Sequence, residues 1–161
     1  MKITTLFTAG AMMIVLSVPL AAAAKQTFRD AGGHVCWTLQ VEGIRSTYRT
    51  ADGKVCGVAQ KDQSGKVTYR TADGKVCGVA QKDQSGKVTY RTADGKVCGI
   101  AQKDPSGKTT YRNKEGKVRG TAQMDGGGTT TCRNAQGKVI YTVQGEKKSA
   151  DMGFALFKLF E

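Results

Sequence analysis

Short runs of β-branched and aromatic residues alternate along this chain with clusters of turn-forming residues. The runs VCGVAQ (55–60) and VTYRT (67–71) are separated by the clusters ADGK (51–54) and KDQSGK (61–66). Runs rich in valine, threonine and tyrosine that end at Gly, Asp and Ser are typical of β-strands joined by tight turns. The pattern therefore predicts two strands and two turns in each such stretch.

The stretch is an internal repeat. Tyr48–Thr68 recurs letter for letter as Tyr69–Thr89, and Tyr90–Thr110 differs from them at three positions. A fixed period of this length is the signature of a repeat array. We therefore predict an all-β fold over residues 25–145, in which tandem β-hairpin repeats form an elongated or curled antiparallel meander. The units start near residues 28, 48, 69, 90, 111 and 132.

The two turn clusters predict two different turns. Asp73-Gly74 is typical of a two-residue type I′ hairpin turn, because Asp and Gly tolerate the positive φ that both central positions require. Asp62–Gly65 fits a type I turn closed by a glycine bulge. In the third copy Pro105 occupies the position of that turn where proline is preferred.

Counting outward from these turns predicts which residues face each other. We expect Tyr69 to lie opposite Gly78 on one side and opposite Ala59 on the other. Each tyrosine ring then covers small residues, an arrangement that holds strand register. The residues predicted to build these niches are Tyr69, Gly57, Gly78, Tyr90 and Gly99. The opposite face, with Arg70 and Cys77, is predicted to be mixed and basic.

The first and last units depart from the repeat. Trp37 and Tyr141 stand where the internal units have glycine. Terminal repeats need bulky residues because their outer strands have no neighbour, so these two residues are predicted to cap the two ends of the array. Simple decay of the repeat would produce the same departures.

The two termini differ in character from the array. Residues 1–24 contain Lys2, an apolar stretch and a run of alanines, which together are typical of a secretory signal peptide cleaved near Ala24. This predicts export to the periplasm, the cell surface or the medium. Residues 146–161 include the apolar segment SADMGFALFKLFE, predicted to be a capping segment. A segment that contacts a membrane is the alternative.

The chain is strongly basic. It has 25 Lys and Arg against 13 Asp and Glu, a net charge of +12, and +11 remains without Lys2. Each exact repeat adds two positive charges, which favours an anionic partner. Such an excess also keeps a protein soluble, and that alternative stays open. The residues predicted to bind anions are Arg49, Arg70, Arg91, Arg112, Lys54, Lys75, Lys96 and Lys117.

Cysteine occupies one slot of successive units, at Cys36, Cys56, Cys77 and Cys98. Three interpretations are open: small half-buried residues, disulfides within or between chains, and a thiolate row for a soft metal. Equivalent residues of a meander lie about 9–10 Å apart, farther than a disulfide spans. No CxxC spacing is present, so no metal is predicted.

Candidate catalytic residues are few. No GxSxG, HExxH or P-loop pattern occurs, and His34 aligns with the turn lysines. Arg70 opposite Cys77 would lower the pKa of that thiol, yet near-identical copies would create equal sites, which suits multivalent binding better than an enzyme. We predict no enzymatic activity and no cofactor.

The unit resembles MORN-type repeats, which are β-hairpins with a GKxxG core and an aromatic residue on the paired strand. The matching segments are GKVCG at 53–57, 74–78 and 95–99, and GKVRG at 116–120. The YxGxW portion of that family is absent. The resemblance implies an elongated antiparallel sheet that serves as a scaffold or binds partners and lipids, and it carries no catalytic residue.

These observations lead to one functional prediction and one alternative. The chain is predicted to be an exported, non-enzymatic repeat protein that binds an anionic envelope or host surface, such as lipopolysaccharide or a glycan, multivalently through a basic sheet face. Nucleic acid is a less favoured partner. The alternative is a structural envelope scaffold or self-assembling module, linked by cysteines or strand edges.

Overall fold

The computed structural model describes residues 23–145, which form twelve short β-strands. Most strands are rich in β-branched and aromatic residues, and a glycine-containing turn joins each strand to the next. The predicted signal peptide and capping segment lie outside the described residues, apart from the last two residues of the former. The strands are Ala24–Asp30 (β1), Val35–Glu42 (β2), Arg45–Thr50 (β3), Val55–Lys61 (β4), Val67–Thr71 (β5), Val76–Lys82 (β6), Val88–Thr92 (β7), Val97–Lys103 (β8), Thr109–Asn113 (β9), Val118–Met124 (β10), Thr130–Asn134 (β11) and Val139–Gly145 (β12).

The strands form one closed barrel. Each strand pairs antiparallel with the next, and β1 also pairs with β12, from Gln26 opposite Gly145 to Asp30 opposite Tyr141. The predicted all-β antiparallel meander of hairpins is confirmed. The meander is curled rather than elongated, because the last strand returns to the first and gives each a second hydrogen-bonded neighbour.

The turn at Asp73-Gly74 is not the predicted type I′ turn. The Thr71 N–H donates to the Lys75 carbonyl at 2.9 Å and the Gly74 N–H donates to the Thr71 carbonyl at 3.0 Å, which leaves a three-residue loop. Only its third residue, Gly74, has positive φ, at 86°. The predicted turn with a glycine bulge at Asp62–Gly65 is confirmed, and both turns of the repeat have this form.

A β-bulge beside the loop at 72–74, and beside each equivalent loop of the other units, restores the predicted register. Arg70 pairs with Val76 whereas Tyr69 pairs with Gly78, so Cys77 is the extra residue. The longer loop and the bulge compensate each other, and the predicted pairs Tyr69 with Gly78 and Ala59 with Tyr69 are confirmed. The six residues in this bulge position are Cys36, Cys56, Cys77, Cys98, Arg119 and Ile140.

The core is a belt with one buried side chain from each strand. In the exact repeats a tyrosine alternates with an alanine, and Tyr69 and Ala80 are only 1% and 4% exposed. Large and small side chains thus alternate around the inside of the barrel. The belt consists of Phe28, Leu39, Tyr48, Ala59, Tyr69, Ala80, Tyr90, Ala101, Tyr111, Ala122, Cys132 and Val143.

Trp37 and Tyr141 do not cap two separate ends. Their ring centroids lie 5.0 Å apart, and the centroid of Phe28 lies 5.8 Å from that of Trp37. Pairing of β1 with β12 brings the first and last units together, so the bulky residues fill the seam where the barrel closes. Aromatic contacts at this distance stabilise that closure beyond the area they bury.

Candidate anion-binding rim

The turns fall on the two ends of the barrel, because an up-and-down meander reverses direction at every turn. One end, here called the arginine rim, carries the turns at 31–34, 51–54, 72–75, 93–96, 114–117 and 135–138. The other end, called the opposite rim, carries the turns at 43–44, 62–66, 83–87, 104–108 and 125–129, together with residues 24 and 145.

An arginine lies two residues before each turn of the arginine rim. In every case its Nη1 donates to the carbonyl oxygen of the turn glycine four residues later, at 3.0 to 3.1 Å. This hydrogen bond fixes the guanidinium at the rim and uses one of its five N–H donors. The six pairs are Arg29 with Gly33, Arg49 with Gly53, Arg70 with Gly74, Arg91 with Gly95, Arg112 with Gly116, and Arg133 with Gly137.

Closure of the barrel makes these arginines a ring. The arginines lie on every second strand, so neighbouring arginine positions are about 9–10 Å apart across the sheet. Arg29 on β1 and Arg133 on β11 are separated by β12 alone. Four members of the ring were among the predicted site residues. Arg29 and Arg133 were missed, although FRDAGGH and CRNAQGK place arginine at the same repeat position.

The predicted lysines lie at the same rim. Lys54, Lys75, Lys96 and Lys117 are exposed turn residues, and Lys138 continues the series. Lys54 pairs with Asp52 at 3.2 Å and Lys96 with Asp94 at 3.0 Å, while the two lysine side chains remain 84% exposed. Exposed pairs of this kind contribute little stability, so a ligand can displace them at small cost.

Basic residues outnumber acidic ones at the arginine rim. Six arginines, five turn lysines and Lys114 face five acids. The acids are Asp30, Asp52, Asp73, Asp94 and Glu115. Hydrogen bonds from threonine hydroxyls lower the pKa of Asp52, Asp73 and Asp94, so these side chains are anionic at neutral pH. The remaining excess gives the rim a positive field. The predicted basic sheet face is therefore better described as one basic end of the barrel.

Four of the five cysteines lie at bulges, and Cys132 belongs to the core belt. All five lie within the described residues and no disulfide joins them. Cys56 and Cys77 were predicted on the face opposite the tyrosines. They pack against the core instead, as Cys98 does, because a bulge residue has no partner and leaves the strict alternation of sides.

Burial controls the thiol chemistry. It raises the pKa of Cys36, Cys77 and Cys98, and it raises the pKa of Cys132 to about 12. The predicted lowering of the Cys77 pKa by Arg70 is thus wrong, since desolvation of the half-buried thiol raises it. Across residues 23–145, no cluster of three or more His, Cys, Asp or Glu side chains is arranged to hold a metal ion.

The comparisons with known proteins add little. No family model and no curated protein matches the chain. Among solved structures, the crystal structure of BamB from Moraxella catarrhalis is similar over 67% of this chain and 55% of that chain, with 12% sequence identity and a TM-score of 0.31. The chain thus spans about half the length of that BamB chain. In the part of the chain that the structure describes, there is no helix long and apolar enough to cross a membrane.

Proposed function

We propose that this chain is an exported, non-enzymatic binding protein that holds an anionic polymer or envelope surface, such as lipopolysaccharide or an acidic glycan, at its arginine rim. The observation that carries the proposal is the ring of six guanidinium groups, each fixed by the same hydrogen bond. Export rests on the sequence of residues 1–24.

The chemistry of the rim suits a repetitive anion. Guanidinium groups present several donors in a fixed plane and match carboxylate and phosphate oxygens. Each contact at an exposed site is weak. Several contacts to one polymer add through effective concentration, so a ring binds a chain of anionic groups far better than a single small anion.

The test compares two triple variants with the same loss of charge. Arg70, Arg91 and Arg112 are replaced by Gln in one, and Lys66, Lys87 and Lys108 of the opposite rim are replaced by Gln in the other. Retention of each protein on heparin and lipopolysaccharide columns is measured across a salt gradient. We expect the arginine variant to lose about tenfold in affinity and to elute at lower salt.

The lysine variant should stay close to wild type, because its substitutions lie at the far end of the barrel. Equal weakening of both variants would show that net charge alone drives retention, and it would reject a site at the arginine rim. Unchanged retention of the arginine variant would reject it as well.

Two observations count against self-assembly, the alternative function. Among the twelve described strands no edge is free to recruit another chain. The cysteines are half-buried or buried, and three of those in the bulge position have raised pKa values. The rim proposal therefore has the stronger basis.

A further inference from the structure

A cavity opens at the opposite rim, far from the arginine ring. Its volume is about 440 Å³, within the range of small-molecule sites. Residues of the core belt, among them Tyr69 and Tyr90, form part of its wall, so the cavity lies on the inner side of the sheet.

Much of the cavity wall is apolar. Val67 and Val88 line it together with Tyr69 and Tyr90. Both valines are half-buried and pack against the core. A hydrocarbon chain placed here would cover side chains that water now contacts, and burial of apolar surface is favourable.

Two cations stand at the entrance. Lys61 and Lys82 line the cavity, and each Cε lies beside the glycine of its own turn, 3.9 Å and 3.7 Å from where a Cβ at Gly65 and Gly86 would be. The absence of a glycine side chain leaves room for the lysine stem to lie across the turn. An apolar stem with a charged head at the mouth of an apolar cavity is typical of a lysine that meets both water and hydrocarbon.

These two lysines have no acidic partner within the described residues. Asp62 accepts hydrogen bonds from the N–H groups of Ser64 and Lys66, which hold its carboxylate within its own turn. Asp83 pairs instead with Lys87, at 3.9 Å. The positive charge of Lys61 and Lys82 is thus available to an anion at the entrance.

We infer that this cavity binds a single-chain amphiphile with a carboxylate head, such as a long-chain fatty acid. The carboxylate lies between Lys61 and Lys82, and the chain lies along Val67, Val88 and the two tyrosines. Ser46 also lines the entrance, and its hydroxyl can donate to the head group. This site is independent of the function proposed for the arginine rim, since it uses the other end of the barrel and other residues.

Calorimetric titration of the full chain with dodecanoate, below the concentration at which it forms micelles, tests this inference. Dodecanoate should bind with one site per chain. Acetate, which has the charge without the chain, and dodecanol, which has the chain without the charge, should each bind at least about tenfold more weakly. Equal binding of dodecanoate and dodecanol would overturn the assigned role of the lysines.

Two double variants locate the site. Lys61→Gln with Lys82→Gln should weaken dodecanoate binding about tenfold, since two exposed ion pairs are lost. Lys66→Gln with Lys108→Gln removes the same charge from turn residues that do not line the cavity and should leave the affinity for dodecanoate unchanged. Equal loss in both variants, or no loss in the first, would overturn the proposal.

A third variant blocks the entrance. Ser46→Trp places a large side chain at a half-exposed position and should abolish binding without changing the far-ultraviolet circular dichroism. Should that variant misfold, methyl NMR of the wild type decides instead. The signals of Val67 and Val88 should shift on addition of dodecanoate, and signals that do not move would reject the site.

Discussion

Aspartate side chains hold the turns at both rims. Asp52, Asp73 and Asp94 each accept a hydrogen bond from the threonine hydroxyl two residues earlier. At the opposite rim Asp62, Asp83 and Asp104 accept one from a serine hydroxyl two residues later, at 2.6 to 2.7 Å. These hydrogen bonds favour the ionised carboxylate and lower the pKa in all six turns.

The lowered pKa values predict a loss of stability in acid. The folded-state pKa lies below the ordinary value of 3.8, so each aspartate contributes stability above that pH. This contribution disappears as the pH falls through the lower, folded-state value. The urea concentration at the unfolding midpoint should stay constant from neutrality down to about pH 4. It should then fall between about pH 4 and pH 2.

A matched variant isolates the turn aspartates. In the triple variant Asp52→Asn, Asp73→Asn and Asp94→Asn, each new side chain accepts the same hydrogen bond but does not titrate. The urea midpoint of this variant should therefore fall less steeply in acid than that of the wild type. A midpoint that stays flat to the lowest pH in the wild type would contradict the assigned role.

Gly120 is required by the approach of the neighbouring strand. A Cβ at this position would lie 2.5 Å from the backbone oxygen of Arg133 on β11. Gly120→Ala therefore forces the strands apart and should cost about 1–3 kcal/mol. Gly126→Ala is the control, because a Cβ there meets nothing within 4 Å. The stability of both variants is measured from their midpoints of unfolding in urea, and equal midpoints would contradict this explanation.

At the scale of the hairpin, each repeat has one extra residue in a loop and one extra residue in the strand that follows it. The loop Ala72–Gly74 is one residue longer than a type I′ turn, and the bulge at Cys77 takes up that extra residue on the paired strand. The register could therefore be predicted although the turn type could not. Asp-Gly fits either turn, and the threonine that precedes the loop favours the longer one by bonding both Asp73 and the Lys75 carbonyl.

The bulge position explains the cysteine column and predicts its reactivity. Thiols react as thiolates, and burial raises the pKa of the Cys36, Cys77 and Cys98 thiols, which keeps them protonated. At about pH 8 the folded protein should react slowly with a thiol reagent such as DTNB, and Cys132, with a pKa of about 12, should not react. In denaturant without reductant, all five cysteines should react. Rapid reaction of the folded protein, or fewer than five reactive thiols after unfolding, would contradict this.

At the scale of the whole molecule, closure was the feature that the sequence could not predict. Turn signals specify neighbours along the chain, whereas β1 and β12 come from opposite ends of the array. The internal members of the arginine ring could be predicted from the exact repeats. The full ring, the seam at Trp37 and Tyr141 and the cavity at the opposite rim all depend on closure.

Hydrogen exchange tests that closure. In a closed barrel β1 has two neighbours, so the amides of Gln26–Asp30 that face β12 should be as protected as those of β6 and β7. In an open sheet those amides would exchange at the rate of an edge strand. Mass spectrometry or NMR distinguishes the two results, and rapid exchange along this side of β1 would contradict the seam.

The central claim is that the repeated arginines bind one polyanion together. Deleting one exact copy, residues 69–89, removes one arginine and one turn lysine from the arginine rim and keeps an even number of strands. The dissociation constant for a heparin oligosaccharide, measured across a range of salt concentrations for the wild type and this deletion, tests the claim most directly. We predict weaker binding and a flatter dependence on salt. A deletion protein that remains folded and binds with unchanged affinity and unchanged salt dependence would contradict it.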